Sequence, residues 1–439
     1  MSKRFLFVLW AGGGNVPPQL TLARGVHEAG HEVRVLAPAV LRSRIQAAGL
    51  VHEPYVEAPE HDEAVPARSL IRDFEARTPM GAAARVRERL LVGTARPIAR
   101  DVLGIVDRHD IDVIASDVLL LGGLFAAEAA KVPAAMLIHT VYPFPRRGVP
   151  PFGMGWTPAA GRLDTARDAV GTFMFRRMYE APALKRLNDV RGDLGLRPVD
   201  SFEGVLETIE SALVLTSEAF DFSGPLPSNV RYVGPQVDDA DGGPAWAPPW
   251  PATDERPLVV VGLSTTFQGH RGLLQRAVDA LGDLSVKGFV STGGMKLDRV
   301  PSNVYTAAFA PHSRLVPLAD VVVTHAGLGT VHAALASGKP MVCLPIGRDQ
   351  PDNAARLVAR GAAIRLARTA KPAVIADAIS TVLGDGRYAA AANRLSAAMD
   401  FDNARRLGAH ELIRLASPGD PAVPPEAAPE GIRAASQVS

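Results

Sequence analysis

Residues 320–361 read DVVVTHAGLGTVHAALASGKPMVCLPIGRDQPDNAARLVARG. The apolar run Asp320–Thr324 has the look of a buried strand, and it delivers Thr324-His325 to its carboxyl end. Ala326-Gly327-Leu328-Gly329 is a tight turn, and Thr330 opens a helix with an apolar face. A second apolar run, Met341–Pro345, follows that helix, so the segment is a strand–helix–strand unit of a parallel sheet. Free N–H groups and the dipole at the helix start favour an anion, and glycine lets a phosphate come close. The plainer alternative is an ordinary turn with a capping threonine.

The same rhythm extends outward on both sides. Upstream lie strands at Pro257–Leu263, Lys287–Ser291 and Val304–Ala308, with a helix at Arg271–Leu281. Residues 236–256 are rich in Pro, Gly and Asp, lack periodicity and read as a linker. A second α/β series precedes them. It has a strand at Phe5–Trp10, a helix at Pro18–Ala29 closed by Gly30, and a strand at Glu32–Ala37. Further strands are expected at Val113–Ala115, followed by Ser116-Asp117, at Ala134–Ile138, ending at His139, and at Ser211–Thr216. Residues 56–100 carry helical Arg/Ala patterns. Residues 142–165 are irregular and rich in Pro, Gly and aromatics, which in an α/β domain marks a functional loop. The expected organisation is residues 1–235 as one Rossmann-like domain, 257–400 as the other, 401–416 as a helix returning to the first, and 417–439 as a disordered tail.

The 439 residues carry 47 Lys+Arg against 46 Asp+Glu. A net charge of +1 provides no global field toward nucleic acid or an anionic membrane. One cysteine, Cys343, makes neither an internal disulfide nor a Cys-rich zinc site, so a reducing cytoplasmic compartment is expected. Met1–Trp10 is too short for a signal peptide or a membrane span.

The order His325, Ala326, Gly327, Gly329, Thr330, Gly338, Pro340, Pro345, Asp349, Gln350, Asn353 resembles the donor-binding signature of family 1 glycosyltransferases of the GT-B fold. Bacterial members that decorate natural products are the most similar in pattern. One glycine of that signature is Ala326 here. The resemblance implies two doubly wound domains facing across a cleft, and inverting, metal-independent transfer from an NDP-sugar (TDP or UDP) to an apolar acceptor. It implies no cofactor and no metal, and leaves a homodimer open. His325 with the backbone of Gly327, Leu328, Gly329 and Thr330 would hold the diphosphate. Asp349 and Gln350 would bond sugar hydroxyls. Phe309 and Ala310 would receive the nucleobase, with His312 where the family has Gln. Ser264, Thr265 and Thr266 would form the hydroxyl-rich loop facing the diphosphate.

The family places a histidine base in the first βα loop. Aligned on Pro18, that position is Gly13, and Asn15 stands where related enzymes carry Asp. Neither can take a proton at neutral pH. Asp117 matches the family's orienting aspartate, and His139 ends the next strand. Both are candidates for the base, with His270 able to reach in from the other domain. Two alternatives stay open: an acceptor that needs little deprotonation, and a chain that has lost catalysis. Gly13, Phe144 and Trp156 are the candidate acceptor contacts, and Phe152 and Met154 could line the same cleft. A non-catalytic auxiliary homologue and a nucleotide-sugar epimerase are the rival functions. A dinucleotide fingerprint fails because Pro17 stands where glycine is needed.

Overall fold

The computed structural model describes residues 2–237, 247–264 and 266–417. The expected linker is therefore described only at its two ends, and the expected tail beyond residue 417 lies outside the described residues. The first domain is a seven-stranded parallel sheet of β1 (Arg4–Val8), β2 (Glu32–Ala37), β3 (Val51–Pro54), β4 (Val113–Asp117), β5 (Ala134–Ile138), β6 (Ser211–Val214) and β7 (Val230–Tyr232), in the order β3-β2-β1-β4-β5-β6-β7. The second is a six-stranded parallel sheet of β8 (Leu258–Gly262), β9 (Lys287–Ser291), β10 (Val304–Ala307), β11 (Val321–Thr324), β12 (Met341–Cys343) and β13 (Ala363–Arg365), in the order β10-β9-β8-β11-β12-β13.

Helices cover both faces of each sheet, so the central strands bury every residue and read as largely apolar runs. The packing is close enough to need glycine. A Cβ at Gly122, in the helix Leu121–Ala130, would sit 2.0 Å from the carbonyl oxygen of Ala95 on the neighbouring helix. Each sheet reverses its strand order once, between β1 and β4 and between β8 and β11. Open α/β sheets bind ligands outside the carboxyl ends of strands at such a point. Here those ends carry the loop after Val8, Asp117, the Ser264 loop and His325.

The terminal helix Phe401–Leu415 does return to the first domain. Ala409, Leu412 and Leu415 join the apolar cluster of Phe5, Leu22 and Val26. Arg405 pairs with Glu28, and the Gln236 amide donates to the Ala404 carbonyl at 2.8 Å. In residues 56–100 the helices Pro79–Arg85 and Ala95–Val106 flank a wider π-helical stretch, Val86–Val92. Among the described residues no helix is long and apolar enough to cross a membrane. Cys343 is fully buried in β12.

Candidate functional site

Between the two sheets lies a cleft of about 1890 Å³. Single-ligand pockets span roughly 300–1,000 Å³, so this one has room for two substrates at once. On the first domain its floor is the loop after β1. Gly13 there has φ +84, in the left-handed region that a branched or long side chain rarely adopts. A histidine at position 13 would be strained, so this loop conformation is unsuited to the family's usual base.

A different histidine stands beside the aspartate. β4 and β5 are adjacent and parallel, with Asp117 in register with Leu137, so His139 emerges next to Asp117 at the carboxyl edge. His139 Nδ1 lies 2.9 Å from Asp117 Oδ2. The pair carries opposite charges only when His139 is protonated. Asp117 is 0% exposed and its other partners hold it in place. The Leu119 N–H donates to Oδ1 at 2.9 Å, while Asn15 Nδ2, at 3.3 Å, and the Gln19 amide donate to Oδ2. Asn15 also donates to the Trp10 carbonyl at 3.1 Å. A fully buried carboxylate with its oxygens so occupied does not reach an acceptor. Asn15 and Gln19 brace it, and His139, whose side chain is 12% exposed, lines the cleft.

Burial by itself would raise the Asp117 pKa, but the charge of His139 and the donated hydrogen bonds outweigh it and hold the carboxyl below its usual value. Burial likewise opposes a charge on His139, and Asp117 overcomes it, raising the imidazole above 6.5. Asp349, from the other domain, adds to that rise across the cleft.

On the second domain, Gly327 caps the helix Leu328–Ala336, and the N–H groups of Leu328, Gly329 and Thr330 precede its first internal bond, Val331 N–H to Gly327 O at 3.0 Å. All four residues line the cleft, as does His325. A Cβ at Gly327 would lie 2.4 Å from His325 Nε2, so only glycine admits the imidazole over the helix start. Burial pushes His325 down to about 3, which leaves it neutral, with one N–H to donate. Ala326, the one departure from the glycine pattern, has φ +66.

Phe309 is 77% exposed on the cleft rim, so it is a free aromatic face and not a core residue. Ala310 behind it is buried, and His312 packs against Gly262 at the end of β8. Ser264 and Thr266 share a hydrogen bond of 2.9 Å, and Gln268 donates to Ser264 at 2.7 Å. Thr265 lies outside the described residues. Asp349 lines the cleft half-buried and accepts from Asn353 at 2.7 Å; burial raises its carboxyl.

Gln350 lines the cleft as expected and also braces its loop, whereas Trp156 departs from the sequence expectation. Gln350 is 2% exposed, its carbonyl accepts from the N–H groups of Ile346 and Gly347, and its amide donates to Gln268 at 3.1 Å. It braces the Asp349 loop from within. Trp156 does not line the cleft: it lies under the Arg167 guanidinium, 4.7 Å from its ring centre, against Gly171 of the helix Arg162–Phe175. Phe144, Phe152 and Met154 hold the cleft wall instead. His270 is buried beside the Ser264 loop and pushed down by burial.

Gln268 and Arg348 carry no motif that marks them in the sequence. Arg348, just before Asp349, has φ +58 and reaches back across the cleft to Asp73, at 2.7 and 3.1 Å, and to Thr266 at 3.1 Å. Phe74 packs edge-on against Phe267 beside this pair, 4.9 Å between ring centres. Their positions next to Asp349 and Thr266 are the only signal the chain offers. Among the described residues no group of three or more His, Cys, Asp or Glu could hold a metal ion.

Residues 276–406 match the family described as erythromycin biosynthesis protein CIII-like, C-terminal domain. The chain is 30% identical over 408 residues to 4'-demethylrebeccamycin synthase of Lentzea aerocolonigenes, covering 90% of this chain and 95% of that protein. It is 34% identical over 181 residues to a PGL/p-HBAD biosynthesis glycosyltransferase of Mycobacterium tuberculosis (strain ATCC 25618 / H37Rv), covering 40% and 41% of the two. Among solved structures, the glycotransferase of kitacinnamycin superposes with a TM-score of 0.73 at 19% identity, over 94% of this chain and 99% of that one. The calicheamicin glycosyltransferase CalG4 gives 0.70 at 20%, over 96% and 100%. The glycosyltransferase VinC, in complex with DTDP, gives 0.67 at 19%, over 94% and 99%.

Proposed function

The chain belongs to the natural-product glycosyltransferases of family 1, with the GT-B fold, and we propose that it moves a sugar from a thymidine or uridine diphosphate donor to an apolar natural-product acceptor, with inversion and with His139 as general base. The observation that carries this reading is the His139–Asp117 pair at the cleft, opposite Asp349. The donor half fits a nucleoside diphosphate. Phe309 offers a face for the base, and the start of the helix Leu328–Ala336 offers N–H groups for the diphosphate. His325 adds a neutral donor and Ser264 and Thr266 add hydroxyls. The leaving diphosphate is stabilised by these groups without a metal. Asp349 would bond a sugar hydroxyl.

The acceptor enters against Phe144, Phe152 and Met154, an apolar wall suited to an aromatic or polyketide body. With Nδ1 held by Asp117, the other ring nitrogen of His139 takes the proton from the acceptor nucleophile as it attacks the anomeric carbon. The proton ends on His139, stabilised by Asp117, and the glycosidic electron pair leaves with the diphosphate. Attack from the face opposite the leaving group inverts the centre. VinC's bound DTDP makes thymidine diphosphate the first donor nucleotide to test.

The test is transfer by the purified chain from a panel of TDP- and UDP-sugars to a panel of phenolic and polyketide aglycones, with wild type and His139→Ala side by side. Product from wild type and its loss in the variant support the reading. Equal rates in both remove His139 as base, and conversion of donor without any acceptor would point to an epimerase.

A further inference from the structure

One carboxylate fastens the acceptor wall to the donor side of the cleft. Asp352, on the helix Gln350–Ala359, is 3% exposed. Its Oδ2 accepts from the Gly153 N–H at 2.7 Å and its Oδ1 from the Gly155 N–H at 3.3 Å. Both glycines are left-handed, at φ +89 and +62, so the tip presents two N–H groups to a single anion. Arg365 at the end of β13 holds the tip's far side through the Gly155 carbonyl, at 2.5 Å. The fit leaves no space: a Cβ at Gly155 would lie 2.6 Å from Pro351 Cβ and 2.8 Å from the Pro351 carbonyl oxygen. Phe152 and Met154, between and beside these glycines, line the cleft. The helix that holds the tip begins at Asp349 and Gln350.

We propose that Asp352 is a positioning residue that docks residues 152–156 of the acceptor wall onto the helix carrying the sugar-side Asp349, so that one rigid element sets the acceptor against the donor. This rests on the reading of the cleft as a joint donor and acceptor site. A side chain that served only the helix would bond within it, whereas both Asp352 oxygens bond across the domain boundary.

The charged groups facing Asp352 are Arg356 one turn on, Asp349 at the helix start and Arg365 across the tip. Burial lifts the Asp352 carboxyl to about 6, against the pull of Arg356 and the two glycine N–H groups.

The experiment is amide hydrogen exchange over residues 151–156 in the full chain, together with calorimetric binding of TDP. In Asp352→Asn the Gly153 and Gly155 amides should exchange about tenfold faster, the expected scale for losing a charge-assisted hydrogen bond. TDP affinity should stay within about twofold. Gly155→Ala, which leaves Asp352 in place but clashes with Pro351, should speed the same amides and so covers the case of an unfolded Asp352→Asn. Unchanged exchange in either folded variant overturns the proposal, as does a parallel loss of TDP affinity. A wild type that binds no TDP would sink the donor assignment and leave the exchange comparison to decide this one.

Discussion

His139 Nδ1 lies 2.9 Å from Asp117 Oδ2 although 21 residues of chain and a whole helix separate them. The pairing comes from the sheet: β4 and β5 are parallel neighbours, and both residues stand at the carboxyl edge where Gly13 leaves the family's usual base position without a proton acceptor. His139→Ala should therefore lower the transfer rate by about 10²–10⁴-fold, the usual range for a lost general base, with donor affinity little changed. Steady-state kinetics with separate donor binding measures this. A drop of less than about threefold would mean that the acceptor needs no base.

The pair also sets a pH dependence. Asp117 raises His139 above 6.5, and only the neutral imidazole accepts a proton. The rate should rise with pH through an acid limb above 6.5. Asp117→Asn removes the opposing charge, so the limb should move to lower pH while the maximal rate falls. A limb that stays in place would detach Asp117 from His139.

Asp349→Ala separates sugar reading from nucleotide binding. The carboxylate lines the cleft beside Asn353 and faces His139. Loss of a charged hydrogen bond is worth about 1.5–3 kcal/mol, so affinity for the NDP-sugar should fall roughly ten- to a hundredfold. Affinity for the nucleoside diphosphate alone should hold within about threefold. Equal losses, read by calorimetry with both ligands, would reject a sugar role.

Much of this was legible in the chain because parallel strands buried on both faces are unbroken apolar runs, as in Phe5–Val8 and Val321–Val323. The phosphate turn was legible because its glycines are dictated by contact, as Gly327 under His325 shows. The strand β3 was missed: Val51–Pro54 is a half-exposed edge with a polar centre and no apolar alternation. β7 and β13, of three residues each, are too short to show a period. Side-chain direction was the other gap. Position predicts that Trp156 faces the cleft, yet it turns out to Arg167, while Gln350 lines the cleft and at the same time bonds Ile346, Gly347 and Gln268. The His139–Asp117 pair needed the strand order, which neither residue encodes alone.

Ala326 offers a test of backbone strain in the donor loop. Its φ of +66 costs an alanine roughly 1–2 kcal/mol, which glycine does not incur. Glycine gives back part of that gain by loosening the unfolded chain, by about 0.4–1 kcal/mol. Ala326→Gly should thus stabilise the second domain by about 0.5–1 kcal/mol, a rise in its melting midpoint of roughly 1–4 °C. The fold tolerates the strain because the loop is fixed on both sides: the Ala326 N–H donates to Thr324 Oγ1 at 3.2 Å and its carbonyl accepts from Asn353 at 3.0 Å. Asn353 also bonds Asp349, so it ties the phosphate turn to the sugar-side carboxylate. TDP affinity should then change little in Ala326→Gly, since the turn is held from outside as well as by its own residue. A destabilised variant would show that the alanine methyl packs usefully at 326, and a large loss of TDP affinity would show that the loop relied on the residue's own stiffness.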